Sequence, residues 1–406
     1  MEKLIKFVAS HIEDDLTRLI LDRSRWPDID MQLAINCIES RRKLKGKVQK
    51  WYETPDLIFP VKLSAEQCSS DMTGHHKATI ASMIAGGEPF RLADLTGGLG
   101  VDTWYFAQKA SEVLYNEMQT PLHEAAKHNF KTLGHKNIQF SNNQIDKDNI
   151  IDIIQGFNPD IVYMDPARRG EGGRKVFLIE ECTPDVLTLK DLIFTQCRHI
   201  LLKLSPMADI TMACSRLGAS CREVHVIGAG GECKELLIWM DREWTGGYSI
   251  TATELHSDAE SDSLTFMPEE ERITHAELCR EVNEGDILFE PGKALMKSGA
   301  FNIIAHKTGM KKLGVSTHYY IGSGDNAISG LGKNYRIIRC ELLNKRSMKE
   351  IAQAYPKADV TARNIPMDTD TLKKKLGVTS GGDTHIFGLK SDQQGQLLIV
   401  ASRLYE

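Results

Sequence analysis

The sequence predicts an α/β fold: a doubly wound, mostly parallel sheet ending in an antiparallel hairpin, with a helical region before it and small α+β modules after it. Three observations predict this. From about residue 76 to 243, short apolar runs alternate with helical stretches, the pattern of parallel strands joined by crossover helices. Such runs fall at Arg91–Leu95, Glu112–Asn116, Ile138–Phe140, Ile161–Met164 and Ile200–Leu204. The last two runs, Glu223–Ile227 and Glu235–Met240, are joined only by GAGGECK, far too short for a crossover, so that pair is antiparallel.

The region before the sheet, residues 1–75, lacks strand alternation and reads as helical. Met31 to Glu39 carries apolar residues at helical spacing, and a basic run follows at Arg41, Arg42, Lys43, Lys45, Lys47 and Lys50. That run is either a solvated helix face or a contact for a polyanion. Past Trp244 the composition changes. Residues 251–290 are acidic, with Glu269, Glu270 and Glu271 consecutive, whereas 331–375 are basic, with Lys345, Arg346, Lys349 and the run Lys373 to Lys375. This charge separation marks distinct C-terminal modules, and the partition expected is 1–75, 76–244, 245–322 and 323–406.

Bulk properties bound the class. At 406 residues the chain exceeds one ordinary core, and its 41% hydrophobic and 26% charged content is that of a soluble globular protein. A net charge of -5 by itself favours no partner. No apolar window approaches the roughly 18 residues of a membrane helix. The opening MEKLIKFVASHIEDDL carries acids inside its apolar stretch, unlike a secretory signal. Nine irregularly spaced cysteines without a C-x-x-C pair make a zinc site or disulfide framework unexpected and point to a reducing cytoplasm.

The stretch RLADLTGGLGVDTWYFA carries the first chemistry. Asp94 closes a strand, Thr96, Gly97, Gly98 and Gly100 form a turn, and Asp102 and Thr103 open a helix. Glycines there let a ligand approach the backbone, in the crevice where open α/β sheets bind. A dinucleotide site wants G-x-G-x-x-G with a pyrophosphate on the helix N-terminus. Here Asp102 and Thr103 end that pattern, and a carboxylate at the helix mouth repels a pyrophosphate. S-adenosylmethionine, with a sulfonium, an ammonium and no phosphate, fits the acids better. The absence of G-x-x-x-x-G-K-[ST] excludes a P-loop. Glu117, ending the second strand and followed by Met118, is placed to accept ribose hydroxyls.

DIVYMDPARRG is the second chemical segment. It sets Asp165-Pro166 at a strand's C-terminal end, with Arg168 and Arg169 offering cations beside the cleft. Methyl transfer is an in-line displacement in which the protein chiefly aligns and solvates. For an exocyclic amine acceptor, a carboxylate taking the N–H bond localises the lone pair. Asp165 is the candidate, with the Pro166 carbonyl as second acceptor and the arginines, Arg168 first, on a phosphate. Ring-carbon methylation needs a cysteine nucleophile, but the fifth strand ends in Lys203, Ser205 and Pro206, while Cys182 and Cys197 read as small buried hydrophobes. His123 and His128 are five apart and so on different helix faces, which gives no metal site. His75 and His76, ahead of the first strand, either line the cofactor pocket or, the favoured reading, belong to a helix start capped by Ser69, Ser70 or Asp71.

DLTGGLGVDT, YNEM and DIVYMDPARR, in this order, resemble class I S-adenosylmethionine-dependent methyltransferases. More narrowly, the chain resembles bacterial methyltransferases with ferredoxin-like and THUMP-like C-terminal domains. Ser70 to Lys77 matches that family's segment before the first strand, Gly285 to Gly322 its ferredoxin-like module, and Asp370 to Leu389 its closing module. The resemblance implies a Rossmann-like seven-stranded sheet in the order 3-2-1-4-5-7-6 and a cofactor pocket with the glycine turn beside the methionine moiety and Glu117 on the ribose. It also implies a structured RNA as substrate, with segments 41–50 and 331–375 as its basic contacts. Two departures from the family pattern stand out. Ala167-Arg168 replaces the proline and aromatic residue of D/N-P-P-aromatic, and only Asn142 or Asn143 is available to meet the adenine. The expectation is therefore a methyltransferase acting on a base nitrogen of RNA. A protein or small-molecule methyltransferase, a non-catalytic RNA-binding protein and a nicotinamide oxidoreductase are the alternatives.

Overall fold

The structure, a computed structural model, describes residues 2–168, 179–256, 260–322 and 330–404. It divides into two compact units, residues 1–224 with 235–247, and residues 225–234 with 248–406. The first unit opens with helices α1 (Glu2–Ser10), α2 (Leu16–Leu21), α3 (Met31–Leu44), α4 (Gln49–Glu53), α5 (Lys62–Gln67) and α6 (Asp71–Ile84). Side-chain caps set several starts. Asp30 accepts the Leu33 N–H at 3.0 Å to begin α3, and Ser70 with Thr73 forms a capping box at α6.

The basic run ending α3 is largely spent inside the protein. The buried Arg41 guanidinium donates to the carbonyls of Tyr52, Thr54, Pro55 and Leu57. Arg42 donates to Ile12 and Asp14 carbonyls, and Lys47 to those of Ala65 and Glu66. These cations join the helices to one another, which corrects the expectation that segment 41–50 as a whole is a polyanion contact.

The alternating region then follows as β1 (Arg91–Asp94), α7 (Val101–Phe106), β2 (Glu112–Asn116), α8 (Thr120–Thr132), β3 (Ile138–Ser141), α9 (Ile150–Phe157) and β4 (Ile161–Met164). Two-residue strands β5 (Ala167–Arg168) and β6 (Cys182–Thr183) pair with each other. After them come α10 (Val186–Phe194), β7 (His199–Leu204), α11 (Ile210–Leu217), β8 (Cys221–Ala229) and β9 (Glu232–Asp241). The sheet has nine strands, two more than expected, and within it these seven lie in the order β3-β2-β1-β4-β7-β9-β8, the order the resemblance implied. Neighbours are parallel through β7, and β9 runs antiparallel to β7. Strands β8 and β9 extend further than the apolar runs suggested, because the loop between them is only Gly230-Gly231. Both have positive φ (60° and 79°), a tight turn that lets strand structure reach into GAGGECK. The strand order switches side at β1, with β2 on one flank and β4 on the other, so the loops after these parallel strands diverge and open a crevice.

The second unit contains the hairpin β10 (Ser249–Leu255) and β11 (Ser261–Phe266), then α12 (Pro268–Ile273), β12 (Ile287–Pro291), α13 (Lys293–Ser298), α14 (Asn302–Thr308), β13 (Lys311–Lys312) and β14 (Tyr320–Gly322). It continues with β15 (Gly332–Leu342), α15 (Lys345–Ala354), β16 (Asp359–Arg363), α16 (Thr369–Leu376), β17 (Thr384–Ser391) and β18 (Gly395–Arg403). One sheet, ordered β13-β14-β12-β15-β18-β17-β16, holds seven of these strands. Its central strands are buried on both faces. Along β17 and β18, Phe387, Leu389, Leu397 and Ile399 enter one core, while Ile386, Leu398 and Val400 enter the other beneath α15 and α16. Among the described residues no helix is long and apolar enough to cross a membrane.

Replacing Arg41 with alanine removes the donor from four carbonyls, among them that of buried Leu57. We expect Arg41→Ala to cost about 2–4 kcal/mol in urea unfolding, a loss that a solvated surface arginine would not show.

Candidate active site

The crevice beyond β1, β2 and β4 is a cleft of about 260 Å³. Its floor is the glycine turn. Gly98 (φ 54°) and Gly100 (φ 93°) adopt the left-handed region, and a Cβ on Gly97 would lie 2.2 Å from the Tyr115 ring, so side chains are excluded on conformational and steric grounds alike. Glu117, buried at the end of β2, accepts the Gly98 N–H at 2.9 Å and the Gln119 N–H at 2.8 Å. A backbone donor that an anion would need is therefore already bound by a carboxylate.

Behind the turn, Asp94 accepts from the Thr103 hydroxyl at 2.6 Å and from the Thr96 N–H at 3.0 Å. Burial pushes its carboxyl up to about 7, against the opposing pull of those two hydrogen bonds. Thr103 is fully buried and holds Asp94; it is absent from the cleft wall, whereas Thr96 lines it and accepts the Asp165 N–H at 2.6 Å.

Beside the turn lies a cluster of buried charges. Lys77, on α6 and without solvent exposure, contacts Asp102 at 3.3 Å, Glu235 at 2.5 Å and the Ser69 hydroxyl at 2.9 Å. Lys203, at the end of β7, contacts Asp165 at 2.7 Å, Glu235 at 3.8 Å and Asp102 at 3.9 Å. Tyr163 donates its hydroxyl to Asp102 at 2.7 Å. Burial alone would raise the Asp102 carboxyl, yet Lys77 and Lys203 hold it below the usual carboxylate range. Burial would likewise pull the Lys203 ammonium down, and Asp165, Asp102 and Glu235 outweigh it and hold it up. Two ammonium groups thus face three carboxylates. Among the described residues of the cleft wall, the acids Asp94, Asp102, Glu117 and Asp165 stand against one cation, Lys203.

The expected site residues are distributed as follows. Thr96, Gly97, Gly98, Gly100, Asp102, Glu117, Met118 and Asn143 all line the cleft with Asp94 and Asp165. Of the two asparagines, Asn143 faces the cleft, while Asn142 donates to the Glu117 and Met118 carbonyls. Pro166 is buried just behind Asp165, and it is Ala167 that reaches the wall. Arg169 and the side chain of Arg168 lie outside the described residues. His123 and His128 bond the carbonyls of Ser141 and Asp56. Cys182 and Cys197 are buried, and among the described residues no cluster of histidine, cysteine and acids is placed to hold a metal.

Sequence reasoning passed over Lys77, Glu235 and the α5 wall, where Ser64 and Gln67 enter the cleft. Lys77 had a detectable signal, since it shares a helix face with Thr73, Gly74, Ile80 and Ala81, all buried. A lysine on such a stripe requires a buried acid. The N-terminal helices gave no such clue, because their contribution depends on tertiary packing.

With this geometry in hand, comparisons place the chain. Residues 288–326 match the ferredoxin-like domain family and residues 332–403 the THUMP domain-like family. A Porphyromonas gingivalis W83 protein assigned as a methyltransferase has a crystal structure that aligns with 99% of this chain and 98% of its own, at 27% identity and TM-score 0.87. An rRNA methylase from Streptococcus thermophilus aligns with 42% of this chain and 94% of its own, at 11% identity and TM-score 0.30. A T. thermophilus 16S rRNA N2 G1207 methyltransferase, solved with AdoMet and guanosine, aligns with 44% of each chain at 14% identity and TM-score 0.31. Only the full-length match bears on the architecture here. No curated protein matches the sequence. The chain has a Rossmann-like methyltransferase fold with a ferredoxin-like and a THUMP-like domain at its C-terminus. Its whole length follows the P. gingivalis protein.

Removing one member of the charge cluster tests its linkage. Lys77→Met leaves Asp102 and Glu235 facing one another in a dry site, with an expected loss of about 3–5 kcal/mol near neutral pH. Asp102, held below its ordinary pKa, contributes stability above about 4 that is lost as the pH falls. The deficit of the variant should therefore shrink in urea unfolding at lower pH, and a pH-independent deficit would contradict the assignment.

Proposed function

We propose that this protein is an S-adenosylmethionine-dependent methyltransferase that modifies a base nitrogen in structured RNA. The observation that carries the cofactor assignment is Glu117 bound to the Gly98 N–H in a cleft walled by four acids and one lysine. A pyrophosphate would have to displace that carboxylate and face Asp102. A sulfonium nucleoside needs neither, and glycines 97 and 98 leave backbone where its chain would lie. When bound, the cofactor supplies an electrophilic methyl group on a positively charged leaving group.

The chain's own residues then act as follows. Glu117 takes ribose hydroxyls with its remaining lone pairs, and Asn143 is the polar group available toward the adenine. Asp94 and Asp102 supply negative potential along the turn. Asp165, at the end of β4, is gripped through Oδ2 by Lys203, which fixes the carboxylate plane and leaves Oδ1 for an amine N–H of the acceptor. With the cofactor supplying the methyl group, that carboxylate would be placed to take the proton released by the acceptor nitrogen, directly or through solvent. The RNA half of the proposal draws support from the THUMP-like domain, and the domain boundaries near residues 76, 245 and 323 belong to the same reading.

The test is incubation of the protein with radiolabelled cofactor and total RNA from cells lacking it, followed by nucleoside mass spectrometry. A labelled nucleoside is expected; label in protein fractions alone would refute the RNA substrate. In the same assay Asp165→Ala should lower turnover at least about 100-fold while leaving cofactor affinity by calorimetry nearly unchanged.

The raised carboxyl of Asp94 gives a second test. Below about 7 it is mostly protonated and above it mostly ionised, so affinity for a cationic cofactor should tighten as pH rises through that value. Asp94→Asn should flatten this dependence in calorimetric titrations, and an unchanged slope would show that Asp94 does not sense the ligand.

A further inference from the structure

Of the two basic segments in the sequence, the first spends Arg41, Arg42 and Lys47 on internal bonds, whereas the second leaves three lysines without such partners. In the second unit, α15 and α16 lie side by side over the core that includes Ile351, Leu372 and Leu376. Between them runs an open groove with Lys345, Lys349 and Lys375 on its rim and Met348 and Leu376 on its floor. Among the described residues no carboxylate and no aromatic side chain lines it. The lysines make no hydrogen bond or ion pair, and the acid nearest to hand on α15, Glu350, is already taken by Arg339 and Arg346.

This arrangement works against the helix that carries it. Lys345 is the first residue of α15 and Lys349 sits one turn on, while the first turn contains no acid. Cations there oppose the helix dipole, and like charges four residues apart repel. Lys375, from the end of α16, adds a third positive charge to the same concavity. Solvated lysines that serve only solubility are ordinarily interspersed with acids. Three on one concavity without a counter-ion create a focused positive potential that an anion would relieve.

We infer that this groove docks the phosphate backbone of RNA, an inference that rests on the RNA reading above and names the surface that holds the substrate. A row of ammonium groups over an apolar floor, with no aromatic side chain in its wall, suits backbone and sugar and offers nothing on which a base could stack. The groove accordingly supplies affinity and register and leaves base choice to the cleft of the first unit.

The experiment measures binding of unfractionated transfer RNA to the full chain by filter retention across a salt series. The comparison is between wild type and a triple variant, Lys345→Gln, Lys349→Gln and Lys375→Gln, with Lys109→Gln as an exposed control. All three lysines are on the surface, and unchanged unfolding midpoints and calorimetric cofactor binding verify that the variant is intact. The expected result is a salt slope shallower by about 2 and affinity weaker by about tenfold or more at moderate salt, with the control unchanged. A variant that binds RNA as the wild type does overturns the groove assignment and leaves the RNA reading standing. Wild type that binds no RNA and labels only protein overturns both. Loss of binding to poly-glutamate with RNA binding unaltered identifies an acidic polypeptide as the partner and overturns the inference.

Discussion

Two lysines shielded from bulk water that share three acids, Asp102 and Glu235 shielded and Asp165 open to the cleft with its side chain 39% exposed, are the constraint on which the cleft depends. Lys77 arrives from α6, Asp102 from α7, Asp165 from the end of β4, Lys203 from β7 and Glu235 from β9. Each is costly to bury alone, by several kcal/mol per ion, so the elements carrying them are bound to meet at one place. The cluster therefore specifies geometry more than it adds stability. An apolar replacement could hold these elements together, but it would not fix the direction in which Asp165 points.

The same cluster explains why the turn tolerates Asp102 at a helix mouth. The carboxylate is compensated from behind by Lys77 and Lys203, so its potential toward the turn is moderated without being cancelled. On the cleft side the balance remains negative, because Glu117 and Asp94 have backbone and hydroxyl partners in place of cations. A site built this way discriminates by charge sign before it discriminates by shape.

Much of this was legible in the sequence, for identifiable reasons. The strands of the first unit follow from apolar runs bounded by acids and glycines, and Gly98 and Gly100 occupy the positive-φ positions that the turn composition implies. Asp94, Glu117 and Asp165 were readable because each terminates a strand, and strand ends in this fold share one rim. The partners lying behind that rim were not. Glu235 sits inside ELLIWM, where nothing local distinguishes it from a surface acid, and it becomes meaningful only when β9 is placed beside β7. The basic run from Arg41 misled for a related reason. Charge composition registers a guanidinium but not the four carbonyls around it, which come from residues 52 to 57.

A cleft of negative balance raises a difficulty for a nucleic-acid substrate that the proposed function must meet. Among the described residues the cleft offers a phosphate only Lys203, so on the proposed function much of the affinity holding an RNA would come from another surface. On that reading binding and chemistry would be divided, with polyanion contacts on one surface and the acceptor nitrogen at another. A neutral base, turned away from its phosphates, carries no charge penalty into the cleft, and its amine finds Asp165 already oriented by Lys203. Where both functions share one positive groove, phosphate and base compete for the same potential. On the proposed function, a cleft lined mainly by acids among the described residues and a lysine-rimmed groove between α15 and α16 would each take one of the two tasks, the acceptor base and the phosphate backbone, without that competition.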